Sequence, residues 1–233
     1  MKSFVLRDDE SLCALAADHV ARRIHEAVEA RGRCTLFLSG GKTPIPLYER
    51  LAKAPHADAI PWDVVWIGWV DERCVPPTHE KSNSRAVLDS LIKHVPIPEA
   101  QILRIRGELK PLDAADDYEV ALKRILSEDE KSDLVILGMG EDGHTASLFP
   151  GQQALRETLR WVLPVHAPAE PRWRVTLTLP FIHRSRSILF LVTGERKANA
   201  ILRVRNGEDL PAARIKPPSG EVVWFLDRAA AGG

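Results

Sequence analysis

Asp133-Leu134-Val135-Ile136-Leu137 runs directly into Gly138-Met139-Gly140-Glu141-Asp142-Gly143-His144, a glycine-rich turn that ends in a histidine. The uninterrupted apolar run Leu134–Leu137 is typical of a strand that is buried on both faces of a parallel sheet. Similar runs predict further strands at Thr35–Leu38, Val64–Ile67, Ser187–Val192 and Val222–Phe225. Ligands of parallel sheets bind beyond the carboxyl ends of the strands, so a site is expected in the loops that follow these runs.

Amphipathic stretches separate the predicted strands. Apolar residues recur there at helical spacing and predict helices at Ser11–Ala30, Pro46–Ala54, Ser84–His94, Ala114–Ser127 and Arg196–Arg203. Strands that alternate with helices indicate an α/β fold around a mostly parallel sheet flanked by helices. The segment Arg160–Thr178 is more strand-like and predicts a small antiparallel excursion. No linker divides the sequence, so residues 1–233 are predicted to form a single domain.

The composition argues against several classes of function. The 233 residues include 32 Lys and Arg against 32 Asp and Glu, which gives no sign of a nucleic-acid or anionic membrane partner. No apolar run approaches the length of a membrane span, and the first residues lack the apolar middle of a signal peptide. Cys13, Cys34 and Cys74 have no metal-ligand spacing and favour a reducing compartment. We therefore expect a cytoplasmic protein, in which any anionic ligand meets cations that are concentrated locally.

The loop after the strand at 35–38 is suited to an anion. Ser39-Gly40-Gly41-Lys42-Thr43-Pro44 combines glycines that permit close approach with exposed amides at a helix start. The run resembles the end of a Walker A loop, but Leu36 stands where that pattern needs a glycine, so a nucleotide is not predicted. A simpler phosphate cradle over residues 39–43 remains, with a tight turn that caps a helix as the alternative.

The turn Gly138–His144 also matches the dinucleotide pattern GxGxxG, but the carboxylates of Glu141 and Asp142 would repel a pyrophosphate. Imidazole is the side chain best suited to proton transfer near neutral pH. His144 is therefore a candidate catalytic base, with a structural histidine as the alternative, and Asp142 is a candidate for the group that orients it.

Charged residues cluster after the other strands. Asp71-Glu72-Arg73 follows the strand at 64–67, where a solvated turn is the alternative to a site. Lys197 falls in the first turn of a predicted helix, where a cation opposes the helix dipole and a bound anion would relieve the conflict. Lys42, Arg73, Arg174 and Lys197 are the candidate cations of a locally basic pocket.

Four runs, taken in order, resemble the 6-phosphogluconolactonases: Leu38–Pro44, Val70–Pro76, Gly138–Pro150 and Arg174–Thr178. The resemblance covers nearly the whole chain. It implies a modified Rossmann-like α/β fold, shared with glucosamine-6-phosphate deaminases. It also implies hydrolysis of 6-phosphoglucono-1,5-lactone to 6-phosphogluconate in the oxidative pentose phosphate pathway, without metal or organic cofactor. The expected partner is thus a small phosphorylated sugar lactone, and the expected state is a monomer or weak homo-oligomer.

The resemblance also implies roles for individual residues. The Gly40–Thr43 loop, Arg174 and Lys197 would hold the phosphate, Arg73 and Asp71 would line the sugar site, and His144 would be the base. Lys81 departs from the family pattern: it precedes the pair Ser82-Asn83, and many relatives carry Asp at this position. That departure puts a carboxylate role at this position in doubt.

Two other functions stay open at this point. An amino-sugar-phosphate deaminase/isomerase has the same fold, but the resemblance implies that it carries Glu at the position of Phe149 and Tyr at that of Arg73. A non-catalytic sugar-phosphate sensor would keep the phosphate cradle but could lose its base, whereas His144 is present. No Gly-x-Ser-x-Gly elbow occurs in the sequence, so water is favoured over a serine nucleophile.

Overall fold

The computed structural model describes residues 1–126 and 131–233. The described strands are β1 (Lys2–Leu6), β2 (Cys34–Leu38), β3 (Val65–Trp69), β4 (Asp71–Arg73), β5 (Ile102–Leu103), β6 (Ser132–Leu137), β7 (Val162–His166), β8 (Trp173–Leu177), β9 (Ser185–Val192) and β10 (Glu221–Asp227). The described α-helices are α1 (Asp9–Arg31), α2 (Ile45–Leu51), α3 (His56–Ala59), α4 (Asn83–Ser90), α5 (Pro111–Ile125), α6 (Leu179–Ile182), α7 (Ala198–Arg205) and α8 (Arg228–Ala231).

The larger sheet has the strand order β1-β10-β9-β6-β2-β3-β5, and every pairing within it is parallel. A smaller antiparallel sheet has the order β4-β8-β7. The predicted α/β fold with a mostly parallel sheet and an antiparallel excursion is therefore confirmed. The predicted antiparallel segment forms β7 and β8. Strand β8 also pairs with β4, whose residues were predicted to lie in a loop.

The strand β6 lies between β9 and β2, and all of its residues are buried. Its backbone pairing with β2 is short, and side chains at the two ends extend it. Asp133 accepts hydrogen bonds from the backbone N–H and the hydroxyl of Thr35, at 2.8 and 3.0 Å. At the other end the Ser39 hydroxyl donates to the Ile136 carbonyl at 2.7 Å. These contacts fix the loop after β2 beside the turn after β6.

Helix α1 packs on β2, β6 and β10. Its N-terminus is capped by Asp8, whose carboxylate accepts from the Ser11 N–H at 2.9 Å. Gly32 ends the helix with φ 72°, a left-handed conformation that favours glycine. Between these caps one face buries Leu12, Val20 and Ile24, as its apolar spacing predicts.

Several predicted boundaries differ from the structure. Helix α2 ends at Leu51 rather than Ala54, α4 gives way to a 3₁₀ turn at Ile92–His94, and a 3₁₀ turn at Glu195–Lys197 precedes α7. Ser127, the predicted end of the helix at 114–127, lies outside the described residues. Strand β1 was not predicted; it is an edge strand whose first four residues are exposed, and its apolar run is limited to Phe4-Val5-Leu6. Among the described residues, no helix is both long and apolar enough to cross a membrane.

One buried histidine lies on α1, away from the carboxyl edge of the sheet. His19 packs edge-on against Phe225, with ring centroids 5.4 Å apart, and its Nδ1 lies 3.0 Å from the Arg22 guanidinium. Arg22 is always a donor, so Nδ1 accepts and the proton resides on Nε2, which has no partner among the described residues. Burial, reinforced by the positive charge of Arg22, lowers the pKa of His19 to about 4.

This histidine makes the stability of the fold depend on pH. The unfolded imidazole has its ordinary pKa of about 6.5, so below that pH the unfolded chain binds a proton that the folded chain resists. We expect the free energy of unfolding to fall by up to roughly 3 kcal/mol as the pH drops from about 6.5 towards about 4. Urea unfolding across this range should show a weaker pH dependence in His19→Gln. The control is His25→Gln, a change at an exposed position on the same helix; equal pH dependence in both variants would contradict the assignment.

Candidate active site

A cavity of about 260 Å³ opens at the carboxyl ends of β2, β6 and β9, and β4 and β8 of the small sheet border it. The residues predicted for the site that line this cavity are Ser39, Gly40, Gly41, Lys42, Thr43, Asp71, Arg73, His144, Arg174 and Lys197. Asp142, the remaining predicted residue, contacts His144 from beside it. The structure thus brings together residues that are separated by more than a hundred positions in sequence, as the parallel topology requires.

His144 is held by the turn that carries it. Its Nδ1 lies 2.6 Å from Oδ1 of Asp142, and the same oxygen accepts from the His144 backbone N–H at 3.1 Å. One carboxylate oxygen therefore fixes both the backbone and the ring. The two side chains can face each other within one tight turn because the intervening Gly143 adopts φ 81°.

The charge on Asp142 is favoured by this arrangement. Burial would raise the pKa of Asp142, but the hydrogen bond from the His144 backbone N–H and the interactions with its imidazole outweigh burial, so this pKa lies below its ordinary value. An ionised Asp142 accepts a hydrogen bond from Nδ1–H, which leaves the lone pair of the neutral ring on Nε2. Asp142 therefore selects the tautomer that a general base needs.

Position 140, next to the imidazole of His144, requires glycine. A Cβ at position 140 would lie 2.1 Å from Nδ1 of His144 and 2.6 Å from Oδ1 of Asp142. The His144–Asp142 pair therefore rests directly on the backbone of Gly140. Behind the turn, the Ala212 N–H donates to the Gly143 carbonyl at 3.0 Å and the buried side chain of Leu210 packs against Gly143. The segment at 210–212 thus supports the turn from outside the cavity.

Asp71 lies at the cavity wall with its carboxylate held on both oxygens. Ser147 donates its hydroxyl to Oδ2 at 2.6 Å, and the Asn83 amide donates to Oδ1 at 3.1 Å. Only 5% of Asp71 is exposed. Both oxygens keep a second lone pair, so the carboxylate can still accept a hydrogen bond from a ligand hydroxyl.

Glu72 has a different function from its charged neighbours. Its buried carboxylate accepts from the backbone N–H groups of Asn83 and Ser84 at 2.7 Å each, and from the hydroxyls of Ser82 and Ser84. It therefore satisfies the free amides at the start of α4 and lies at the positive end of the helix dipole. Glu72 anchors α4 to β4, and this contact places Asn83 against Asp71.

The glycine loop after β2 is fixed from two sides. The carbonyl of Ser39 accepts from the Tyr48 hydroxyl at 2.7 Å, while its own hydroxyl is committed to Ile136. A Cβ on Gly40 would lie 1.9 Å from Oδ1 of Asn83, so the asparagine side chain fills the space beside that glycine. Gly41 adopts φ 92°, and Lys42 after it is exposed.

Arg174 and Arg73 are the cations of the small sheet, paired across β8 and β4. Arg73 donates to the backbone carbonyl of Lys81 at 2.7 Å, a contact that does not depend on the residue type at position 81. Burial lowers the pKa of Arg174 from its ordinary value; Asp71 opposes this shift and Arg73 adds to it. Arginine stays protonated in proteins, so Arg174 is a desolvated cation at the cavity wall, which favours an anionic ligand.

The chain is similar over most of its length to known proteins. The family described as glucosamine-6-phosphate isomerases/6-phosphogluconolactonase matches residues 7–224. The chain belongs to this family. It is 40% identical to the 6-phosphogluconolactonase of Rattus norvegicus over 97% of this chain and 91% of that one, and 39% identical to that of Homo sapiens over the same shares. The resemblance found in the sequence is therefore confirmed.

Solved structures of the family share the fold of this member. The 6-phosphogluconolactonase from Thermotoga maritima superposes with a TM-score of 0.88 at 28% identity, over 97% of this chain and 99% of that one. A monomeric glucosamine-6-phosphate deaminase has a TM-score of 0.85 at 21% identity, over 99% of each chain, and it shares the fold alone. The modified Rossmann-like fold is thus confirmed, and it is common to both activities that the family name contains.

Some residues of this family member's site were not predicted from the sequence. Met139, Ala146 and Thr193 also line the cavity, and Ser147 holds Asp71. Ala146 has φ 49°, a left-handed conformation that non-glycine residues rarely adopt. Met139 and Thr193 follow closely after β6 and β9, and that position was the available signal. Ala146 and Ser147 lie farther along the loop after β6, where small side chains do not indicate a ligand-binding or catalytic role.

The contact between Gly40 and Asn83 predicts a steric effect. Gly40→Ala places a methyl group inside the Asn83 side chain, so we expect the free energy of unfolding to drop by about 1–3 kcal/mol. Gly138→Ala is the control, because Gly138 lines the same cavity, has no positive φ, and a Cβ there meets nothing within 4 Å. Chemical denaturation measures both variants, and equal losses would show that Asn83 is not the cause.

Proposed function

We propose that this chain hydrolyses 6-phosphoglucono-1,5-lactone to 6-phosphogluconate in the oxidative pentose phosphate pathway. The observation that carries the proposal is one cavity that combines an imidazole, held at Nδ1 by a carboxylate, with a glycine loop and a group of cations. The family relatives from rat and human, named as 6-phosphogluconolactonases, support the same reaction.

The phosphate of the lactone binds to the loop at 40–43, Arg174 and Lys197. Glycine amides approach a phosphate closely, and Lys197 lies at the N-cap of α7, where a bound anion offsets the opposition between the lysine charge and the helix dipole. Arg73 and Asp71 line the sugar site, where the Asp71 carboxylate accepts a hydrogen bond from a ring hydroxyl. Anchoring the phosphate orients C1 for attack, and orientation can lower a barrier as much as a base does.

The hydrolysis starts when Nε2 of His144 takes a proton from water as the water oxygen bonds to C1. The electron pair of the carbonyl moves to its oxygen, and backbone amides of the glycine turns or Arg73 stabilise this oxyanion. The oxyanion then collapses, the bond between C1 and the ring oxygen breaks, and the imidazolium returns its proton to that oxygen. One water is consumed, and the carboxylic acid produced loses its proton to solvent.

Water is the nucleophile in this scheme. Cys74 lies close to the site in sequence, but burial, with help from the Glu72 charge, raises the pKa of Cys74 to about 11. Its thiol therefore stays protonated near neutral pH and is a poor nucleophile.

Among the described residues, no group of three or more His, Cys, Asp or Glu side chains could hold a metal ion.

The deaminase alternative lacks support from this cavity. The resemblance implies that ring opening of an amino-sugar phosphate needs a carboxylate at position 149. Phenylalanine occupies that position, and its ring centroid lies 4.6 Å from that of His144. Lactone hydrolysis needs no acid at this place, since His144 both accepts and returns the proton.

Replacement of His144 tests the mechanism. His144→Ala should lower kcat on freshly prepared lactone by roughly 10²–10⁴-fold, because the general base is lost. Acid release in weakly buffered solution measures the rate. His25→Ala, a change at an exposed histidine of α1, should leave the rate unchanged. If His144→Ala retained the wild-type rate, His144 would not be the base.

The phosphate site makes a second prediction. Arg174→Ala or Lys197→Ala should each lower kcat/KM for the phosphorylated lactone by roughly 10–100-fold, the range expected for a lost charged hydrogen bond. Unphosphorylated gluconolactone should be much less affected. Arg172→Ala is the control, since Arg172 is exposed on the same hairpin and pairs with Glu170. Equal losses for the two lactones would contradict the phosphate role.

A further inference from the structure

Phe149 is a large buried side chain whose burial the apolar core does not explain. Only 5% of it is exposed. It does not belong to the contiguous apolar core formed by the described residues, whereas its neighbour Leu148 does. Phe149 is therefore buried outside that core, and its ring lies beside two residues of the proposed site.

The first contact is with the proposed base. The ring centroids of Phe149 and His144 are 4.6 Å apart and their planes are tilted by 40°. Asp142 fixes the imidazole within its plane, and Gly140 lies against its Nδ1 side. Rotation of the imidazole out of that plane is opposed by Phe149.

The second contact is with the proposed phosphate ligand. The guanidinium carbon of Arg174 lies 5.9 Å from the Phe149 ring centroid, within the range of a cation–π interaction. Arg174 is half-buried, its Nε makes a long hydrogen bond to the Pro171 carbonyl at 3.3 Å, and no salt bridge to it occurs among the described residues. An aromatic ring attracts such a desolvated cation without neutralising it. The guanidinium thus keeps its charge for the ligand.

We propose that Phe149 is a positioning residue that fixes the proposed base, His144, relative to the proposed phosphate cation, Arg174. This inference rests on the proposed lactonase function. One rigid ring touches both groups, so it fixes the distance between the place where the phosphate is held and the place where C1 is attacked. Phosphorylated lactones are then favoured over unphosphorylated ones both by the charge of Arg174 and by this fixed distance.

The test replaces the ring by apolar side chains without π electrons. Phe149→Leu and Phe149→Met should lower kcat by roughly 5- to 50-fold for both phosphorylated and unphosphorylated gluconolactone, because the base loses its support. For the phosphorylated lactone alone, KM should also rise by about 3- to 30-fold, the range of a desolvated cation–π contact. Phe181→Leu is the matched control, since Phe181 is equally buried but packs against Phe37 and Trp161 in the core.

Double variants separate positioning from a general loss of structure. In an Arg174→Ala background, Phe149→Leu should no longer raise KM for the phosphorylated lactone. In a His144→Ala background, it should no longer lower kcat. If the losses caused by Phe149→Leu persisted unchanged in both backgrounds, or if Phe181→Leu produced the same pattern, Phe149 would be a structural residue only. Failure of the wild-type chain to hydrolyse either lactone would instead contradict the proposed function.

Thermal unfolding of each variant shows whether a change in kcat or KM comes from a folded protein. Phe149→Met retains more side-chain volume than Phe149→Leu, so it provides a folded protein if the smaller side chain leaves a cavity. A folded Phe149→Met variant with wild-type kcat and KM would overturn the inference.

Discussion

The pairing of β2 with β6 is the contact on which the site depends. The two strands share few backbone positions, and Asp133 at one end and Ser39 at the other extend the connection with side-chain hydrogen bonds. Because parallel strands end at the same edge, this pairing sets the glycine loop beside the histidine turn. Strand β9 on the other side of β6 brings the region of Lys197 to the same edge. A polar ligand therefore meets three loops whose positions are set by one sheet.

Much of this arrangement could be predicted from the sequence. The five buried strands produce apolar runs, and the glycine, histidine and cationic residues predicted for the site line one cavity, while their roles stay predictions. The edge strand β1 and the buried carboxylate of Glu72 were not predicted, since the apolar run of β1 is only Phe4-Val5-Leu6 and the α4 donors that bury Glu72 lie ten or more residues away in sequence. The arrangement of Phe149 depends on contacts with His144 in the same segment after β6 and with Arg174 on β8, which is distant in sequence. The single domain, the absence of a cofactor, the cytoplasmic location and the monomer or weak homo-oligomer stay predictions.

Charge in this protein is organised locally. The sequence is neutral overall, with 32 basic and 32 acidic residues, yet Lys42, Arg73, Arg174 and Lys197 line one cavity. The acidic residues nearby are engaged by protein donors: Glu72 by α4, Asp71 by Asn83 and Ser147, and Asp142 by His144. Among the described residues that line the cavity, Asp71 is the one carboxylate, so the four cations leave its wall with more positive than negative charge. This division explains how a protein without net charge can select a phosphorylated ligand.

The support of the histidine turn by residues 210–212 has a consequence for biosynthesis. Strand β6 and its turn leave the ribosome well before β9, Lys197 and Leu210. A nascent chain that ends near residue 180 therefore contains the turn but lacks β9, the neighbour of β6 in the sheet, and residues 210–212, which support the turn. The His144–Asp142 pair is then fully supported only in the finished chain. Truncated products of interrupted translation would carry every residue of the glycine loop and the turn, and still lack the contacts from residues 210–212 that support the turn.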